Sequence, residues 1–99
     1  SDTGGIDFSN LTEEIELDII RKLASYPDEV AMSAIERAPN RLAGYALDLA
    51  GLFHSFYNSH RVINEDPDLT VARLGLSEAV RTVLANVLGL LGISAPHEM

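Results

Sequence analysis

Ile15, Ile19, Ile20 and Leu23 recur at the three-and-four spacing of one helix face, and the pattern predicts a helix over 11–25. Asn10 followed three residues later by Glu13 supplies a cap pair at its start, with Thr12 competing for the role. Pro27 ends this helix, because a residue preceding proline is pushed away from helical dihedrals. Pro27-Asp28-Glu29 then makes a favourable first turn for a second helix, in which Val30, Met32, Ala34 and Ile35 are expected inward and which stops before Pro39. From Asn40, a candidate cap, to Ile63 the positions Leu42, Ala46, Leu49, Phe53 and Phe56 trace a long amphipathic helix. Asn64-Glu65-Asp66-Pro67 breaks it. Asp66 and Pro67 open a fourth helix with the apolar set Leu69, Ala72, Leu76, Ala79, Val83, Leu84, Val87, Leu88 and Leu91, running to a stop at Gly92.

No useful length of the chain alternates with period two, so the expected class is all-α, and four helices on short connections predict an antiparallel bundle. The first ten residues, SDTGGIDFSN, lack periodicity and are expected to form a flexible tail, leaving residues 11–99 as one helical domain. The last two helices are apolar around much of their circumference, as in VLANVLGLLGI. A helix of that kind wants partners on several sides.

Composition narrows the function classes. With no cysteine there is neither a disulfide framework nor a thiolate metal site, and a cytoplasmic location is expected. No uninterrupted apolar run approaches the roughly 18 residues of a membrane span, and the start has no signal-peptide pattern, so no membrane partner is expected. The formal charge of −8 argues against a strong, non-specific binder of polyanions. Its distribution is uneven: residues 1–38 carry nine acids against Arg21, Lys22 and Arg37, whereas residues 39–99 carry six against Arg41, Arg61, Arg73 and Arg81. The acidity belongs mainly to the first third.

Enzyme chemistry finds little support. His54 and His60 are six apart, about 600° around a helix, so they point roughly 120° away from each other and do not form a metal pair. Ser55 and Ser59 lie near histidines but lack a nucleophile elbow and a third orienting group. Glu13, Glu14, Glu16 and Asp18 are a charged helix start, and Gly89 and Gly92 sit in an apolar helix instead of a phosphate loop. No catalytic residue and no cofactor are assigned to this chain.

The densest chemistry is FHSFYNSHRVI, Phe53 to Ile63. Phe53 and Phe56 continue the core stripe, while His54, Asn58 and Arg61 follow at spacings of four and three on the neighbouring face. Tyr57 lies between. A large ring beside hydrogen-bonding groups suits an unstacked base, with a π face for stacking and donors for its edge. The competing reading makes Tyr57 a core tyrosine with His54 and Arg61 on the border of the bundle.

The segments LAGYALDLAGLFHSFYNSHRVI and VARLGLSEAVRTVLANVLGLLGISAP, with the final methionine, resemble the C-terminal DALR-type anticodon-binding domain of bacterial arginyl-tRNA synthetases. The likeness is carried by Leu49-Ala50, Phe53 to Asn58, Arg61-Val62, Arg73-Leu74, Leu76, Ala79-Val80, Val83-Leu84, Leu90 to Ile93, Ala95-Pro96 and Met99, and is specific over Pro39 to Met99. It implies a helical domain that holds the anticodon loop of tRNA for arginine and helps select the middle cytosine. A separate catalytic domain of the same chain would activate arginine with ATP and magnesium. The matching tRNA-binding positions are Tyr57 as stacking ring, Arg61 one turn on, and the segment with Pro96 and Met99; Asn58 and His54 are neighbours. Arg73 and Arg81 are either phosphate contacts or inward ties between helices.

The chain departs from the family in two ways. Glu98 stands where a basic residue commonly precedes the terminal methionine. The catalytic HIGH and KMSKS-like signatures, and the tyrosine-rich YAYAR-like helix that opens the family's domain, are not found, which predicts a C-terminal piece that self-associates through the face that helix would cover. A different class, a helical protein-interaction module without a nucleic-acid role, would bury Tyr57 and Arg61 or turn them into a protein groove.

Overall fold

The computed structural model describes residues 11–60 and 62–94. It has four helices in the order α1 (Glu14–Ala24), α2 (Tyr26–Glu36), α3 (Pro39–Ser59) and α4 (Pro67–Ser94), and no strand among the described residues. The all-α bundle expected from periodicity is the observed architecture. The proposed tail over 1–10 lies outside the described residues.

α1 starts later than its pattern predicts. Glu13 is the N-cap, in extended backbone, and it forms a capping box with Glu16, whose Oε1 accepts the Glu13 amide at 2.9 Å. The cap pair is therefore one step of three further along than Asn10 and Glu13, and Thr12 has no part in it. Leu11, expected inside the helix, precedes it yet is buried. A single residue, Ser25 (φ −83°, ψ −5°), separates α1 from α2, and Pro27 sits in the first turn of α2, where its missing N–H costs nothing.

Of the inward face expected for α2, Val30 packs against the core and the other three residues do not. Ile35 is 74% exposed, Met32 and Ala34 also face outward, and the buried line runs through Tyr26, Val30 and Ser33. Apolar residues outnumber the room on one side of an eleven-residue helix, so composition alone did not select the face. α2 ends at Arg37, which takes left-handed dihedrals (φ 52°, ψ 46°), while the Ala38 amide donates to the Ser33 carbonyl at 3.0 Å. That geometry reverses the chain into α3.

α3 begins at Pro39 with Ala38 as its N-cap, so Asn40 is not a cap but lies in the first turn. Its core stripe is as expected: Leu42, Leu49 and Phe56 are buried, and Ala46 and Phe53 pack against them. Tyr45 joins them at 3% exposure. The helix stops at Ser59, short of Ile63, because His60 is extended (φ −134°, ψ 144°).

α4 opens as expected, with Asp66 Oδ1 accepting the amides of Asp68 at 3.0 Å and Leu69 at 3.4 Å. It does not stop at Gly92 but continues to Ser94; a glycine ends a helix by turning left-handed, and no glycine among the described residues has positive φ. Ala72, Leu76, Val80 and Val87 form its buried column, whereas Leu88 is 67% exposed. Leu90 and Leu91 lie with Leu42 at one end of α3, and Arg73 lies over Phe56 at the other, so α3 and α4 run antiparallel.

Averaged hydropathy adds to the run-based reading of α4. Pro67–Gly92 has a mean hydropathy of 1.4 and is, by length and composition, long and apolar enough to cross a membrane, although no uninterrupted apolar run is present. Only 22% of its most apolar window is buried in the bundle, along the column that packs against α1 and α3.

The tie across the bundle is ionic. Glu16, with no exposed surface, accepts a 2.6 Å hydrogen bond from Arg73 Nε through Oε2, and the Arg73 guanidinium lies over the Phe56 ring, 5.6 Å from its centroid. Arg73 is thus an inward tie and not a phosphate contact. Arg81 is surface-exposed and pairs with Glu78 one turn back.

Candidate nucleic-acid interface

The last two turns of α3 present two faces. Phe56 is fully buried and anchors the inner one. Tyr57, next in sequence and about 100° around the helix, is 63% exposed. Its ring leans on Phe53, with centroids 6.1 Å apart and planes at 37°. One edge is therefore supported while the rest of the ring meets solvent. This excludes Tyr57 from the core.

His54 and Asn58, one turn apart, are both exposed and joined by a 3.1 Å contact between Asn58 Nδ2 and His54 Nε2. The amide nitrogen donates and the imidazole nitrogen accepts, so the pair holds the two side chains in register beside Tyr57. Among the sequence-predicted residues the structure thus brings His54, Tyr57 and Asn58 together. Arg61, Pro96 and Met99 lie outside the described residues.

Three further groups assemble at this end. His60 stacks on Phe56, with centroids 5.6 Å apart and planes at 15°, and its Nδ1 is 3.0 Å from Ser59 Oγ. His60 Nε2 lies 3.6 Å from the Glu13 carboxylate, which brings the start of α1 to the end of α3. Ile63 is 71% exposed. His60 and Ile63 belong to the stretch singled out by its chemistry, but a helix continued to Ile63 would have turned them in other directions, and the approach of Glu13 to His60 is a contact between α1 and α3 that side-chain spacing does not encode.

Among the described residues this surface is poor in fixed positive charge. Arg73 is consumed by Glu16, and Glu13, Glu65, Asp66 and Asp68 surround the α3–α4 connection.

Comparison with known proteins decides the family. The DALR anticodon binding domain model matches residues 1–99. The chain belongs to that family. It is similar to an arginine–tRNA ligase of Desulforamulus reducens, 58% identical over 89 residues that make up 90% of this chain and 16% of that protein. An arginine–tRNA ligase of Desulforudis audaxviator is 54% identical over 94% of this chain and 16% of its own length, and one of Geotalea daltonii 50% identical over 96% and 17%. The chain spans about a sixth of the curated relatives it matches. No solved structure matches it.

Proposed function

We propose that this chain is the anticodon-recognition module of an arginine–tRNA ligase, docking the anticodon loop of arginine tRNA on the end of α3. The observation that carries the reading is the solvent-facing ring of Tyr57 beside the linked pair His54 and Asn58, in a chain of the DALR family. Tyr57 stacks on an unstacked base, and Asn58 and His54 offer a polar edge. Arg61, four residues after Tyr57, holds the RNA backbone.

Pro96 and Met99 supply a second contact. The last turns of α4 pack beside Leu42, fifteen residues before Tyr57 and therefore about 22 Å along α3. Five residues beyond Ser94 reach at most about 18 Å.

Attachment of arginine, with ATP and magnesium, belongs to a catalytic domain elsewhere in the parent chain, and the setting is cytoplasmic. The module's own part is binding and needs no cofactor. The protein-interaction alternative expects Tyr57 and Arg61 to be buried or to face a protein groove, and the 63% exposure of Tyr57 speaks only against the buried form.

The test is Tyr57→Ala, measured by titration with an arginine anticodon stem-loop. Binding weakens by about 1–3 kcal/mol, the worth of one base–aromatic stack, while the melting temperature hardly moves. A Tyr57→Ala protein that binds as tightly as the parent refutes the stacking role, and one that unfolds shows Tyr57 to be structural.

A further inference from the structure

Val30, Ser33, Arg37, Leu42, Leu90 and Leu91 line a concavity of about 420 Å³ between α2, the start of α3 and the last turns of α4. Its walls are mostly aliphatic, and two polar groups interrupt them. Ser33 is only 8% exposed, and its hydroxyl has no hydrogen-bond partner among the described residues. A buried hydroxyl is costly to leave unsatisfied, so this one calls for a partner from outside the four helices. Arg37, exposed and left-handed at φ 52°, stands where α2 turns into α3 and brings a cation to the same concavity. Two acids of α2, Glu29 and Glu36, are held instead by Arg41, at 2.9 and 3.4 Å.

The chain itself carries a complement. α4 ends at Ser94, about 4.5–6 Å beyond Leu90 and Leu91 along the helix axis. Residues 95–99, Ala-Pro-His-Glu-Met, lie outside the described residues and bring Glu98, the first acid after Glu78. Pro96 has no amide hydrogen and pushes Ala95 away from helical dihedrals, so the sequence directs the segment off the axis of α4 at once. Glu98 is four residues past Ser94 and reaches at most about 14 Å from it. Arg37 lines the same concavity as Leu90 and Leu91, one turn before that point.

We infer that residues 95–99 fold back into this concavity in the RNA-free chain. Pro96 covers Val30, Leu42 and Leu91, a backbone carbonyl of the segment accepts from the Ser33 hydroxyl, and the Glu98 carboxylate pairs with the Arg37 guanidinium. The inference does not depend on the anticodon reading, which concerns the segment when RNA is present.

Nuclear Overhauser spectra of the 99-residue chain, methyl-labelled on leucine and valine, test this directly. Cross-peaks are expected between the Pro96 ring and the methyl groups of Val30, Leu42 and Leu91. Arg37→Glu weakens them about two- to fivefold, the range an exposed ion pair commands, and Arg37→Glu combined with Glu98→Arg restores them. Arg37 is exposed, so unchanged amide resonances over α1 and the buried column of α4 show that the variants keep the fold. Absence of the cross-peaks in the parent chain leaves the concavity open and overturns the inference. Cross-peaks indifferent to the charge reversal remove the Arg37–Glu98 pair from it. Cross-peaks seen only between differently labelled copies make a second chain the occupant and overturn it as well.

Discussion

Tyr45 shows how much one side chain contributes to this fold. Its hydroxyl donates a 2.6 Å hydrogen bond to the Lys22 carbonyl at the end of α1, which also accepts from the Ser25 hydroxyl at 2.8 Å. The ring packs on Tyr26, with centroids 5.8 Å apart, and lies under the Lys22 ammonium at 5.0 Å. One residue thus fastens α3 to the one-residue joint between α1 and α2. Burial pushes the phenol above its ordinary range, against a smaller opposing effect of its hydrogen bonding with Ser25. The unfolded chain therefore releases this proton first as pH rises. The contribution of neutral Tyr45 is fully present below about pH 10 and is lost as pH climbs through the raised folded value. Denaturant melts across pH 8–11 are expected to show that loss in the parent and a shallower one in Tyr45→Phe; equal slopes would remove Tyr45 as the cause. The partner of the hydroxyl, 23 residues away, is not encoded in side-chain spacing. Tyr45 falls three residues after Leu42 and four before Leu49, so the helical period does place it on the inner face, but the reading passed over its polar hydroxyl.

At the scale of elements, the buried pair Glu16–Arg73 ties the start of α1 to the first third of α4 across 57 residues of sequence. Leaving either charge alone in the interior costs about 3–5 kcal/mol, a large share of a small domain's stability. Arg73→Met is expected to lose that much in urea unfolding, and Glu16→Leu combined with Arg73→Met to recover most of it. A double variant no more stable than Arg73→Met would show that the ionic pair is required in itself. The sequence permitted both the inward and the phosphate roles for Arg73, because a buried arginine needs a partner far away in sequence that periodicity cannot name. What periodicity did name was α3, whose 21 residues show a continuous apolar stripe, and the capped start of α4 at Asp66. It failed on α2, where too many apolar residues blur the face, and on the C-terminal ends of α3 and α4. Ends depend on local backbone geometry at His60 and Gly92, which side-chain spacing does not encode.

For the whole molecule, the chain's acidity and its α4 surface pull in different directions. Net charge of −8 and the acids around the α3–α4 connection keep general affinity for polyanions low, so the proposed anticodon binding would depend on fitting an unstacked loop. Val71 and Leu88, 55% and 67% exposed, leave apolar surface of α4 open to solvent. The candidate interface was legible to the extent that it is one helix: His54, Tyr57 and Asn58 followed from spacing. Glu13, His60 and Ile63 come together only through the end of α3 and its contact with α1, which are tertiary facts.

The central claim, that this end of the bundle reads a base of the anticodon, is tested most directly by following backbone amide resonances during titration with two arginine anticodon stem-loops. One loop is natural and the other has its middle cytosine replaced by uracil. The account predicts shifts concentrated over residues 54–64 with the natural loop and their loss or marked weakening with the altered one. Identical responses to both loops, or shifts confined to the exposed apolar side of α4, would contradict it.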